Sequence, residues 1–179
     1  MRAPFLPVAL LMALGACAMG DDPSRTVVTV EVFTVALPTT EDAGLEFERS
    51  EGPLVGGVNP DQTAREIASQ MTGEVELIHS TSWRWEPDGR IVLTYLAWGG
   101  EGSLSSGARP VPPFVPPGPT DRLHPRPREI GELDPLAHGL RHLAFLLRAD
   151  QDGAIADAIG PRGCAELRRL QPTVAGEMP

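Results

Sequence analysis

Alternation of apolar and polar positions marks four strands along the chain. TVVTVEVFTVAL at 26–37 is dense in β-branched residues and alternates enough to bury at least one face; Pro38 ends it. GLEFER at 44–49 sets Leu45 and Phe47 on one face and Glu46 and Glu48 on the other, the period of a half-exposed strand. Residues 75–86 and 90–98 form a hairpin around Pro87-Asp88-Gly89, because proline presets φ and Asp-Gly tolerates the turn. In its first arm, strict alternation predicts Leu77, His79, Thr81, Trp83 and Trp85 on one face, opposite Ile78, Ser80, Ser82 and Arg84.

Two segments switch to the helical period. Across 60–72, Ala64, Ile67, Ala68 and Met71 fall at i, i+3, i+4 and i+7. Asn59 precedes Pro60 as a cap, Gln62 stands where a capping box places its partner, Asp61 and Arg65 are spaced to pair, and Gly73 stops the helix. A second helix spans 135–149, with Asp134 as its cap. Its stripe is Ala137, Leu140, Leu143, Ala144 and Leu147, with Arg141 and Arg148 turned away. Residues 154–159 add a turn or two before Gly160-Pro161, and 160–179 read as a tail. The pattern predicts an α+β domain: a mixed or antiparallel sheet of four to six strands with both helices packed on it.

Composition changes this picture at two places. The 19 glycines and 19 prolines in 179 residues imply long irregular connections, and eight of the prolines fall within 99–128, read as a surface loop or partly disordered insert. A spacer is the simpler role for that insert, a polyproline ligand the sharper one. The other place is the start of the chain. Arg2, an apolar run at 3–13 and Leu14-Gly15-Ala16-Cys17 resemble a bacterial secretory signal with a lipobox. That resemblance implies lipidation of Cys17 and a membrane-anchored lipoprotein on a short tether, 18–25, ahead of a single domain at 26–159. The competing reading starts translation at Met19 and leaves the protein cytoplasmic.

Charge and chemistry narrow the function. A net charge of −9 without a basic cluster excludes general nucleic-acid binding. Cys164 is expected as a small buried residue. His79 and Ser80 are strand neighbours on opposite faces, so they cannot form a nucleophile and its base. His138 and His142 stand four apart like the histidines of a zinc protease helix, but Gly139 occupies the position of the general-base glutamate, so they are read as a helix face and no metal is expected. Trp83, Trp85 and Trp98 are expected as core or cross-strand packing, with a stacking platform for a base as the alternative.

The stretch PLVGGVNPDQTAREIASQMTG at 53–73, followed by the hairpin, resembles the loop-helix element of the Nudix hydrolases. That family's pattern is G-x5-E-x7-R-E-U-x-E-E-x-G-U, with U aliphatic. Arg65, Glu66 and Ile67 match its Arg-Glu-aliphatic core, and Gly56 and Gly57 its glycine-rich entry as weak ligand-binding candidates. Ser69 and Gln70 stand where the paired glutamates belong, and the approach from Gly57 to Arg65 is short and lacks the early glutamate. Magnesium needs several hard oxygen ligands, and Glu66 is the single well-placed carboxylate on this helix.

The resemblance thus implies a Nudix-like domain without competent catalysis. It would bind a small ligand or a protein partner, need no cofactor, and touch a membrane only through Cys17. The alternative is a divergent pyrophosphohydrolase acting on a nucleoside diphosphate derivative with Mg or Mn, recruiting carboxylates such as Glu46, Glu48 or Glu66, with Glu66 and Arg65 as its catalytic candidates.

Overall fold

The computed structural model describes residues 26–114 and 130–172. Residues 1–25, including Cys17, lie outside that range, as does much of the proline-rich insert.

The chain folds as an α+β domain on a five-stranded mixed sheet. Its elements run β1 (Val28–Ala36), β2 (Glu46–Pro53), α1 (Pro60–Thr72), β3 (Val75–Trp85), β4 (Ile91–Gly99), β5 (Arg109–Pro110), α2 (Asp134–Ala149) and α3 (Ala154–Arg168). The sheet order is β3-β4-β1-β2-β5. β1 and β4 are parallel neighbours at its centre, and the other pairs are antiparallel.

Alternation in β1 divides the core in two. Val30 and Val32 point to α1, where Ala64, Ile67, Ala68 and Tyr95 close a small cluster. Phe33 and Val35 point the other way, into a larger cluster with Phe47, Leu96, Trp98 and the apolar residues of α2 and α3. Helices therefore cover both faces of the sheet. Two glycines set how closely they approach. A Cβ on Gly163 would lie 2.6 Å from Trp98 Cζ2, and one on Gly139 would lie 3.2 Å from Thr81 Cγ2. Gly139, where a zinc protease carries glutamate, is thus a packing position.

Several expectations are corrected. β3 carries a bulge between Ser80 and Ser82, which adds one residue and reverses the alternation beyond it. His79 and Thr81 share a face as read, the one toward α2, but Arg84 joins them there, while Trp83 and Trp85 turn to the α1 side. Of the three tryptophans only Trp98 is core; Trp83 and Trp85 are 60% and 59% exposed. Arg141, read as facing away, is 5% exposed, and Pro135 to Ala144 are buried all round the helix.

The helix ends differ in detail from the expected caps. Asn59 caps α1, its Oδ1 accepting from Asp61 N at 2.9 Å, and Gly73 at φ 75° ends it. Gln62 closes no capping box and instead donates to Glu66 Oε1. Asp61 and Arg65 do not pair: Asp61 accepts from the Tyr95 hydroxyl at 2.7 Å, and Arg65 donates to the Val75 carbonyl at 3.2 Å. Asp134 is the first residue of α2, not its cap, and accepts from Gly131 N.

The last element does not stop at Ile159. α3 kinks at Gly160, with φ 70° and ψ 171°, restarts at Pro161, where a missing N–H costs nothing, and buries Cys164 and Leu167 in the larger cluster. Part of the insert is also ordered, since Arg109 and Pro110 form β5 against Glu46 and Phe47.

Candidate functional site

The residues suggested by the Nudix resemblance lie on one side of the sheet and do not converge. Gly56 and Gly57 form the turn between β2 and α1, at the end of the sheet where β1 begins. Arg65 and Glu66 are exposed on α1. Arg65 is engaged with the start of β3, and Glu66 with Gln62 one turn away. Glu48 accepts from both the backbone N–H and the hydroxyl of Ser105. Glu46 sits in the β2–β5 ladder. Among the described residues, no three His, Cys, Asp or Glu side chains are arranged to hold a metal ion. The Tyr95 hydroxyl against Asp61 is pushed up to about 12, first by burial and then by that carboxylate, so it keeps its proton at neutral pH.

Two polar clusters lie under the opposite face. Glu31, 1% exposed, accepts from Arg84 Nη1 at 2.6 Å, Arg84 Nη2 at 3.0 Å, Arg49 Nε at 2.8 Å and the Thr94 hydroxyl at 2.9 Å. Burial alone would raise its carboxyl, but Arg84, Thr94 and Arg49 together hold it below the ordinary carboxylate range. With every carboxylate lone pair directed at a donor, this cluster ties β1, β2, β3 and β4 together and leaves little for a ligand.

The second cluster joins β3 to α2. The bulge follows His79, whose Nε2 lies 3.1 Å from His142 Nδ1, and His142 stacks between His138 and Phe145. Desolvation lowers the pKa of both His79 and His142, and the neighbouring imidazole lowers His79 further. One ring donates and the other accepts across this contact, so at most one of the two can carry a charge.

Among the described residues an open cleft lies elsewhere, at the carboxyl ends of the parallel strands β1 and β4, where α/β sheets characteristically leave a crevice. It is a cleft of about 430 Å³ between Leu37, Trp98-Gly99-Gly100-Glu101, Glu76 at the start of β3, and the kink of α3 from Asp157 to Arg162. Gly99 is required here, because a Cβ would lie 2.2 Å from Thr72 Oγ1. The Gly160-Pro161 break turns α3 at the cleft wall. Arg162 is spent on structure: it pairs with Glu101 at 2.6 Å and donates to the carbonyls of Pro38, Thr40 and Glu41. Among the described residues, the carboxylates of Glu76 and Asp157 make no hydrogen bond or ion pair.

No protein-family model matches this chain. No curated protein matches it either.

Of the cleft residues, the sequence singled out only Trp98, as packing or a stacking platform, and the Gly160-Pro161 break. The lining comes from positions 37, 76, 98–101 and 157–162, and no local spacing links them. The Gly160-Pro161 break marks a bend but not what it bends around.

Proposed function

We propose that the chain is a Nudix-like binding domain that takes up a small ligand without hydrolysing it, and that the ligand carries a cationic group. Two exposed acidic residues, Glu76 and Asp157, lining a cleft with Leu37, Trp98 and Ile159 are the observation that carries this reading. Arg162, the one basic residue in the lining, is already neutralised by Glu101. Such a wall attracts an amine or guanidinium with an apolar body and repels a diphosphate. The commitments of Glu48 and Glu66 to Ser105 and Gln62 further support binding over turnover.

The test is a thermal-shift screen of the purified chain against small amines, guanidines, carboxylates and nucleoside diphosphate derivatives, with and without Mg²⁺ or Mn²⁺. Cationic compounds are expected to raise the melting temperature, as a ligand specific for the folded state must. Metal-dependent release of phosphate from a diphosphate substrate, lost in Glu66→Gln, would overturn the proposal in favour of a pyrophosphohydrolase.

A further inference from the structure

Large apolar side chains exposed to solvent are not scattered over this domain. Of the six among the described residues, Val27, Val55, Trp83 and Trp85 lie at one end of the sheet. Strand register fixes that grouping. Val28 is level with Ile91, and Ile91 with Trp85; Val30 is level with Leu93, and Leu93 with Trp83. Leu54 N donates to Val28 O, which brings Val55 alongside the start of β1. On the α1 face the exposed Trp83 and Trp85 continue into the half-buried Leu93 and Ile91 of β4 and Val28 of β1, beyond the edge of α1, while Val27 turns to the other face at the same end of the sheet. This is the end opposite the cleft, which opens where β1 and β4 finish.

We propose that this surface rests on the headgroup layer of a lipid bilayer, with Trp83 and Trp85 inserted and the cleft directed away from the membrane. This rests in part on reading Cys17 as the lipidated residue. Two observations point to a bilayer, and a third bears on the charge of its lipid. The first is where the chain enters: residues 18–25 would separate a lipidated Cys17 from Thr26, at most about 30 Å of extended chain, and Thr26 lies at this apolar end. The second is residue type. Indole has an apolar body and one N–H donor, and favours the membrane-water boundary. The third is local charge. Arg90 pairs with Asp88, and Arg84 with Glu86 and Glu31, so the rim offers no uncompensated cationic patch for anionic headgroups. With a net charge of −9 for the chain, the surface suits neutral or zwitterionic lipid.

The test uses the full chain in two forms, purified from host membranes and as Cys17→Ser, mixed with phosphatidylethanolamine–phosphatidylcholine vesicles containing brominated acyl chains. Quenching and a blue shift of tryptophan emission are expected in both forms, weaker without the lipid anchor. In Trp83→Ser/Trp85→Ser most of the quenching is expected to vanish, vesicle partitioning of the unlipidated form to drop about tenfold or more, and the emission of buried Trp98 to persist. Membrane-purified chain that floats with vesicles but shows no quenching would overturn the surface. So would sedimentation showing a dimer in solution that shields both indoles. Mass spectrometry finding no lipid on Cys17 would overturn the tether alone, and quenching of the unlipidated chain would still decide the surface.

Discussion

At the scale of single residues, the three tryptophans separate what alternation predicts from what a bulge changes. Trp98 fills the core against Gly163, whereas Trp83 and Trp85 project from the sheet. Trp98→Ala is therefore expected to cost about 3–5 kcal/mol in denaturant unfolding, and Trp83→Ser within about 0.5 kcal/mol. Glu31 was read as one member of a buried strand, and its ion cluster was illegible because Arg49 and Arg84 reach it from distant positions. Arg84→Ala, which leaves a buried carboxylate short of donors, should destabilise the fold by about 3 kcal/mol. The pH dependence follows from the direction of the Glu31 shift. The unfolded carboxyl binds a proton near 4.5 and the folded one only at lower pH, so its contribution is present above 4.5 and is lost as pH falls through the folded value. Acid titration of stability should show that loss in the wild type and a smaller one in Arg84→Ala.

Elements were legible where local chemistry decides them. Asn59-Pro60, Gly73 and Pro87-Asp88-Gly89 place helix and turn boundaries through φ preferences and caps, and the structure puts those boundaries there. Where packing decides, the pattern failed. Proline and glycine at 160–161 permit a kinked continuation as well as a stop, and only the core cluster around Leu167 selects the former. Arg141 is buried although its spacing assigns it to the outside. The α2–β3 contact carries its own prediction through His79 and His142. Burial depresses both, so near pH 6 the unfolded chain takes up protons that the folded one does not, and stability falls as pH drops below about 6.5. Stability should fall between pH 7 and 5.5, and fall less in His79→Gln/His142→Gln, as followed by denaturant unfolding at each pH. An equal loss in that variant would show that the pair does not set the response.

At the scale of the whole molecule, the fold class was readable because layers follow from periodicity, whereas the cleft was not, because it exists only after β1, β3, β4 and α3 have assembled. The glycine pair and Glu66, which the Nudix resemblance singles out, lie away from it, with Gly56 and Gly57 at the far end of β1. Binding chemistry can therefore be assigned to one end or the other by substitution. The decisive measurement is calorimetric titration of the amine giving the largest thermal shift into the wild type, Glu76→Gln, Asp157→Asn and Glu66→Gln. The expected result is about a tenfold or greater loss of affinity in each of the two cleft variants, with none in Glu66→Gln. Undiminished binding in Glu76→Gln and Asp157→Asn, with loss in Glu66→Gln, would contradict the account and return the site to α1.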